Sequence, residues 1–464
     1  SVNRTPDPKA IADYLTYHYV PFPGTIFKDI HKLPPGCFMR VTLVNGGGAT
    51  KGPLKVKTSR YWDVKYEPDY TLTEDEWVEA LRAKIKEAVG IRLISDVPLG
   101  AFLSGGVDSS AVVAMMSGFK AVPVKTFSVG FKEKDFTEAR YAREVAQRFS
   151  TDHHEIVVEP DAIELLPRLA WEFDEPFADS SAVPTYYVSK MAREHVTVVL
   201  SGDGGDETFA GYRRYLWSND MKRYDLMPAL MKKVVFGGPA AVLPEGMRGK
   251  GMLEHLSKDP FKRYAGLNTY GDPRYLDNIL SKDIRAALEE SGNGRLPDYA
   301  FLRMFYDSAP GDYLSKIQYL DTKTYLAEDI LTKVDRASML NSIETRAPLL
   351  DHEVVELAAR IPPELKIKNG ETKYILKKAM KGVLPDGILG RKKMGFGVPL
   401  VHWFKKDLVD YAREVLLSRE ARERGIFNHG YIETMLENHK KRGRDLSAKI
   451  WALLFFEHWS RNWL

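Results

Sequence analysis

Trp77, Leu81, Ile85 and Val89 are spaced by four residues, and the run opens on Thr73-Glu74-Asp75-Glu76. That spacing predicts an amphipathic helix. A Thr followed three residues later by Glu is a capping box, in which each side chain satisfies a free N–H of the first turn. Downstream the period changes. Apolar runs at 99–103, 122–131, 154–158 and 196–201 alternate with helical stretches at 109–116, 138–149, 161–173 and 184–193. Short runs that are apolar on both faces, separated by helices, predict a parallel sheet covered on both sides. From Tyr212 onward strand signal almost vanishes, and helices are broken by Gly237-Gly238-Pro239 and Gly292-Asn293-Gly294. The last helix, 446–464, carries an aromatic stripe that predicts burial. Ahead of the sheet, 7–18 predicts a short helix. Strands are expected at 38–43 and 55–62, with Asn45-Gly46-Gly47-Gly48 as a turn between them. Residues 1–66 are too few for a core of their own and must pack on something else.

A chain of 464 residues accommodates more than one domain. The pattern divides it into residues 1–66, an α/β core over 67–211, a helical insertion over 212–320, and a helical part over 321–464 that completes the site. Lys and Arg number 67 against 63 Asp and Glu, a net charge of +4, whereas a dedicated nucleic-acid binder usually carries a strongly basic domain. The single cysteine, Cys37, excludes a disulfide framework or a Cys-rich zinc site within the chain and fits a reducing, cytoplasmic setting. No apolar run approaches the length of a membrane span, and no signal peptide is visible. Neither a nucleic-acid nor a membrane partner is expected.

Candidate chemistry sits where the strands end, the edge at which open parallel sheets bind ligands. Leu103-Ser104-Gly105-Gly106-Val107-Asp108-Ser109-Ser110 lies between a strand and a helix. Free N–H groups and the positive helix end make an anion site, most simply for phosphate. Asp108 beside phosphates makes sense if Mg²⁺ bridges them. The loop lacks the Lys-Ser/Thr of a P-loop. Its order resembles the pyrophosphatase-type loop of enzymes that split ATP into AMP and pyrophosphate. Ser201-Gly202-Asp203-Gly204-Gly205-Asp206-Glu207 also follows a strand, and three acids with three glycines cannot be core. Asp108 and Asp206, from neighbouring strand ends, can hold Mg²⁺ on the phosphates of ATP, since hard cations take oxygen ligands.

Four further stretches leave alternatives open. Asp174–Ser181, with Asp179 and Ser180, reads as a substrate pocket or a capped loop. Lys333–Arg336 and Ser342–Asp351, with Glu344, Arg346 and Asp351, interrupt apolar residues with charges, either as structural ion pairs or as substrate contacts. Lys373 is expected in the first turn of a helix, where the dipole disfavours a cation; an anionic partner, phosphate or a developing negative charge, would explain it. Gly390–Pro399, with Lys392, reads as a phosphate clamp or a solvated loop.

Taken in order, Leu103–Ser110, Thr126–Phe131, Leu200–Tyr212, Lys333–Asp351 and Lys373 resemble the synthetase domain of the glutamine-dependent asparagine synthetase family. Tyr14–Pro21 and Lys32–Gly36 resemble the end of that family's glutaminase domain, so residues 1–66 read as its remnant and a linker. The family's glutaminase domain begins with a catalytic cysteine, and nearly all of that domain is absent from this sequence. The chain alone is therefore expected to use ammonia that the glutaminase domain normally supplies. The resemblance implies an α/β fold of the ATP-pyrophosphatase, adenine nucleotide alpha-hydrolase-like kind: a five-stranded parallel sheet with helices on both faces, followed by a mostly helical C-terminal region. It implies ATP and Mg²⁺, a small-molecule carboxylate substrate, and a two-step reaction through an acyl-adenylate; it is compatible with a homodimer.

By the same resemblance, Leu103, Ser104, Gly105, Gly106, Asp108, Ser109, Ser110, Val129, Ser201 and Gly202 bind ATP, with Val129 against the adenine. Asp108 and Asp206 hold the metal. Lys373 stabilises negative charge in both transition states. Asp203 is catalytic, standing where asparagine-forming members carry glutamate and β-lactam synthetases a tyrosine. Asp179, Ser180, Glu344, Arg346, Asp351 and Lys392 are the substrate candidates. Aspartate is the first acceptor. The form of Ser201–Glu207 and of Asp179–Tyr186 also resembles bacterial paralogues that amidate another carboxylate, such as a uronic acid in exopolysaccharide or surface-glycan assembly. An adenylating RNA-modifying enzyme and a non-catalytic scaffold are the remaining alternatives; near-balanced charge speaks against the first, and intact Asp108, Asp206 and Lys373 against the second.

Overall fold

The computed structural model describes residues 3–43, 54–119, 122–133, 138–159, 164–244, 247–290, 299–391, 395, 397–404, 408–442 and 445–464. The turn at Asn45–Gly48, residue Asp161, the break at Gly292–Gly294 and Lys392 lie outside the described residues.

Pro8–Tyr17 (α1) starts at Asp7, whose carboxylate accepts from the Lys9 N–H at 2.9 Å. The helix is buried from Ala10 to Tyr17 within the largest apolar cluster. Its Tyr14 hydroxyl donates to the Ala452 carbonyl at 2.7 Å in the last helix, Ser447–Trp463. That helix turns its aromatic stripe inward, with Trp451, Phe455 and Trp459 buried. The first segment therefore does pack on later chain. Cys37–Leu43 (β1) and Leu54–Arg60 (β2) depart from this: they pair antiparallel, and almost every residue of the ribbon is exposed.

Glu74–Ile91 (α2) carries the expected capping box: the Thr73 hydroxyl accepts from the Glu76 N–H and the Glu76 carboxylate from the Thr73 N–H. Leu99–Phe102 (β3), Lys125–Phe131 (β4), Asp152–Val158 (β5), Val198–Leu200 (β6) and Glu344–Arg346 (β7) form one parallel sheet in the order β5-β4-β3-β6-β7. The fifth strand overturns the expectation that strands end near Ser201. Glu344 lies opposite Val198 and Arg346 opposite Leu200. At the sheet edge a strand needs only peptide groups to pair, so Glu-Thr-Arg serves without an apolar pattern. The opposite edge, β5, is likewise more polar than a buried strand.

Val107–Ser117 (α3) packs with α2 on one face of the sheet, where Trp77, Leu81, Ile85 and Val89 meet Val112, Val113 and Met116. Ala139–Arg148 (α4) adds Ala142 and Val145 to the same cluster. Leu166–Glu172 (α5) is shorter than the stretch expected from Asp161. Ala182–Arg193 (α6) covers the other face, with Val188 and Ala192 against Phe127 and Val199. The order of strands places the site. From β3 the chain runs outward to β4 and β5, then returns to β6 on the other side. Connections diverge at the carboxyl ends of β3 and β6, which opens a crevice there. Leu99 is opposite Val198 and Ala101 opposite Leu200, so the loops after β3 and β6 emerge side by side.

Candidate functional site

The loop after β3 is fixed by its own hydroxyls: the Ser104 N–H donates to Ser109 Oγ at 3.2 Å, and the Gly106 N–H to Ser104 Oγ at 3.3 Å. Asp108 follows in the first turn of α3 and is buried. The loop after β6 is tied to the edge strand, its Ser201 N–H donating to the Arg346 carbonyl at 2.8 Å. It then passes Gly202, where a Cβ would lie 2.6 Å from the Ser109 nitrogen. Only glycine lets the two loops touch. The short helix Gly205–Thr208 (α7) follows and carries Asp206 and Glu207, both buried.

Lys373 joins the two loops. Its Nζ forms an ion pair with Asp108 and lies 2.6 Å from Asp206 Oδ1. At Gly211 a Cβ would fall 2.0 Å from Lys373 Cε, so the passage for this side chain is made by a missing one. Lys373 stands immediately before the helix Tyr374–Ala379, not in its first turn, and at φ 54° it is left-handed. A lysine there is strained by about 1–2 kcal/mol, a cost that persists only where surroundings enforce it. Its anionic partners are carboxylates of the chain itself.

These groups line a cleft of about 420 Å³. Leu103, Ser104, Gly106, Asp108, Ser109, Val129, Asp179, Ser201, Gly202, Asp203, Asp206 and Lys373 all face it. Gly105 and Ser110 do not. Gly105 backs onto Tyr141 and Ala142, and Ser110 is fully buried within α3. Ser180 is also off the cleft wall. Glu344, Arg346 and Asp351 lie off the cleft wall, and their charges are used within the fold. Arg346 donates to the carbonyls of Arg92 and Ile94 at 2.9 and 2.8 Å and pairs with Glu344 at 2.6 Å. Asp351 accepts from Arg92 at 2.7 Å and from the Glu353 N–H at 2.9 Å, capping His352–Arg360.

A second charged cluster forms a wall of the cleft. Lys333 Nζ donates to Asp179 Oδ2 at 2.7 Å, and the Ser181 N–H and hydroxyl donate to the same carboxylate at 2.9 and 2.8 Å. Burial raises the Asp179 carboxyl, but Lys333 and Ser181 outweigh it and hold it below the usual range. Burial works against the Lys333 ammonium, and Asp179, Asp329 and Asp203 together raise it. Asp329, behind them, is pushed well above the carboxylate range by burial and by Asp179. Asp329 and Tyr325 both belong to a π-helical stretch, Thr322–Leu331, and Tyr325 faces the cleft. Such widened turns are rare and concentrate at functional sites.

Among the cleft residues outside the predicted site set are four with polar side chains that shape it. Arg391 lay in the basic loop, and it clamps the first loop: Nη1 donates to the Gly105 carbonyl at 2.8 Å and the guanidinium pairs with Glu138. Glu138 carries no local signal. Tyr325 lies in the π-helix, whose period no α-helical pattern detects. Glu207 is buried, and its carboxyl is pushed up to about 7 by burial and by the neighbouring Asp206. The Tyr212 hydroxyl donates to it at 2.6 Å. An acid whose folded value is raised binds more protons folded than unfolded, so stability falls as pH climbs from about 4.5 to about 7. Glu207→Gln keeps the acceptor for Tyr212 without the charge. It should raise stability at pH 8 by up to about 3 kcal/mol and have little effect at pH 4.5, as thermal melts across that range will read.

The donor set suits magnesium and a polyphosphate. Two carboxylates from separate loops converge on one ammonium, offering the oxygen ligands a hard cation takes. Among the described residues no group of three or more His, Cys, Asp or Glu is arranged for a metal; phosphate oxygens of a nucleotide would complete the coordination of two carboxylates.

The sequence profile of the asparagine synthase family matches residues 80–461. Asparagine synthetase [glutamine-hydrolyzing] 1 of Bacillus subtilis is 37% identical over 98% of this chain and 68% of its own length. A putative asparagine synthetase [glutamine-hydrolyzing] of Mycobacterium tuberculosis is 32% identical over 98% of this chain and 67% of its own. An amidase of Penicillium rubens is 28% identical over 82% of this chain and 60% of its own.

Proposed function

The chain belongs to the asparagine synthase family and is an amidoligase that couples ATP to amide formation, and from that premise we propose that it makes asparagine from aspartate, ATP and ammonia, releasing AMP and pyrophosphate. The observation that carries the choice of acceptor is the pairing of Lys333 with Asp179 on the cleft wall. A cation and a carboxylate side by side suit the α-carboxylate and α-ammonium of an amino acid; a uronic acid offers no ammonium for the carboxylate to meet.

In this reading the loops after β3 and β6 hold the phosphates through Ser104, Gly106, Ser109, Ser201 and Gly202, and Val129 meets the adenine. Asp108 and Asp206 would hold Mg²⁺, which neutralises phosphate charge when bound. The substrate's side-chain carboxylate attacks the α-phosphorus, the bond to the β-phosphate oxygen breaks, and pyrophosphate leaves. Ammonia then attacks the acyl carbon of the adenylate and AMP leaves. Lys373 stabilises the negative charge of both transition states from a fixed position, the arrangement in which such charges act most strongly. Asp203, on the same wall as Lys333, takes the proton that the attacking nitrogen sheds. Glutamine would supply the ammonia through a glutaminase unit, of which residues 1–66 would be the end; the names of the Bacillus and Mycobacterium relatives support that supply.

One observation favours another acceptor. Asp203 is a methylene shorter than the glutamate of the asparagine-forming pattern, which leaves more room beside Lys333. Pyrophosphate release with ATP, Mg²⁺ and ammonia, measured across a panel of carboxylates, separates the readings. Release with aspartate is expected. Release with a uronate and none with aspartate would replace the acceptor, and release with no carboxylate would sink the ligase reading of this cleft.

A further inference from the structure

The helix that carries Asp206 does not hold its own place. Gly205–Thr208 (α7) is a single turn, too short to be stable unaided. Its residues are buried, so its carbonyls cannot turn to water and each needs a donor from the protein. Those of Gly204, Gly205 and Asp206 accept from the N–H groups of Thr208, Phe209 and Gly211 at 2.9, 3.2 and 2.7 Å. Those of Glu207 and Thr208 accept from Gln318 Nε2 at 2.7 and 3.1 Å. One amide thus closes the carboxyl end of α7. At the other end Gly205 sits against Asp108, where a Cβ would lie 2.5 Å from Asp108 Cγ. Asp206 lies between these two fixed points.

Gln318 is itself firmly held. It is fully buried in the helix Tyr313–Asp321. Asp312 caps the start of that helix, accepting from the Leu314 N–H at 2.8 Å. Asp321 anchors its end, accepting from Arg214, Tyr215, Tyr264 and Asn268 at 2.8, 2.6, 2.6 and 2.8 Å. The remaining atom of the amide is Oε1, and Lys366 Nζ donates to it at 3.2 Å. Carbonyls accept and cannot donate, so the NH₂ group must face α7 and Oε1 must face the lysine. Lys366 is 1% exposed, and its Nζ lies 5.0 Å from the centre of the Tyr66 ring. Burial lowers its ammonium to about 7, against a smaller opposite pull from Asp312. A lysine buried in this way costs stability, so packing does not account for it.

We infer that Gln318 is a positioning residue for Asp206, acting through the Glu207 and Thr208 carbonyls, and that Lys366 sets the orientation of its amide. This rests on the reading of Asp206 as a ligand for Mg²⁺ on the phosphates of ATP. Neither Gln318 nor Lys366 lines the cleft. The loop after β3 is fixed by its own hydroxyls, so nucleotide bound without metal should be indifferent to both side chains.

Calorimetric titration of the full chain with MgATP, and with ATP in the presence of EDTA, tests this. The wild-type chain should bind MgATP more tightly than metal-free ATP. Gln318→Met should lose about tenfold or more of its MgATP affinity and keep its affinity for metal-free ATP. Lys366→Met leaves both amide donors in place and only frees the amide to turn. It should lose about threefold, again with metal alone, and it carries the test if Gln318→Met does not fold. The double variant should match Gln318→Met, because the lysine acts through the amide. Equal losses with and without metal would overturn the inference, since a merely structural role lowers both affinities. So would unchanged MgATP affinity in the single variants, or a double variant that loses the product of the two single losses. A wild-type chain with no preference for MgATP would overturn it together with the reading of Asp206; the other failures leave that reading standing.

Discussion

Asp108→Asn should reduce ATP-dependent pyrophosphate release by about 10³-fold or more, a loss of some 4 kcal/mol of transition-state stabilisation, while the protein melts at the same temperature or slightly higher. The two halves of that result come from one arrangement. Asp108, Asp206 and Lys373 are all buried, and two carboxylates share one ammonium. Before substrate binds, the three groups hold two like charges close together in a poorly solvated setting, an excess that costs stability. Asparagine removes that excess and leaves the Lys373–Asp206 pair intact. It also removes one of the two oxygen ligands offered to a cation on the phosphates. Sites organised for a bound state are commonly less stable empty. Side-by-side measurement of pyrophosphate release and thermal melting decides the matter. Full activity would remove Asp108 from the site; lost activity with a collapsed melting temperature would make its role structural.

Lys333→Met is expected to act in the opposite sense, costing fold and function together. It strands the Asp179 carboxylate beside Asp329 with its cation gone. Removing one partner of a buried pair typically costs 3–5 kcal/mol, and a melting temperature lower by several degrees should follow. The pH dependence identifies the cause. Asp179 is held below its usual value in the folded chain, chiefly against burial and through Lys333. That contribution is present above the unfolded carboxylate pKa and lost as pH falls through the folded one. The variant lacks it, so its deficit should hold from pH 8 down to about 4 and narrow only as pH falls below about 3.8. A deficit that does not change with pH would point to lost packing instead. Under the proposed acceptor chemistry, aspartate KM should rise more than ATP KM.

What the sequence made legible is what local chemistry determines. The capping box at Thr73 and Glu76, the strand-loop-helix around Asp108, and the acid-glycine loop after β6 depend on neighbours within a few residues, and each formed as read. The edge strand was hidden because its stability comes from peptide groups paired with Val198–Leu200, and Glu344-Thr345-Arg346 has no apolar period to betray it. The same strand explains why Glu344, Arg346 and Asp351 lie off the cleft. Charges amid apolar residues announce that something neutralises them; here backbone carbonyls of Arg92 and Ile94 and the Arg92 guanidinium do so. Lys333 and Asp179 were visible singly but not as a pair, and Asp329 not at all, since they converge from a loop, the α-helix Thr332–Met339 and the π-helix before it. Arg391 reached Glu138 by the same kind of long-range convergence.

The late edge strand also bears on biogenesis. A ribosome delivers β3 through β6 with their helices and loops well before it reaches Glu344. Until then β6 presents an open row of peptide donors and acceptors, a template for pairing with another nascent chain. At ordinary elongation rates that interval is on the order of ten seconds. The helical segment translated in between is thus a delay line, and polysome-bound chains arrested before Arg346 should be the ones that chaperones retain.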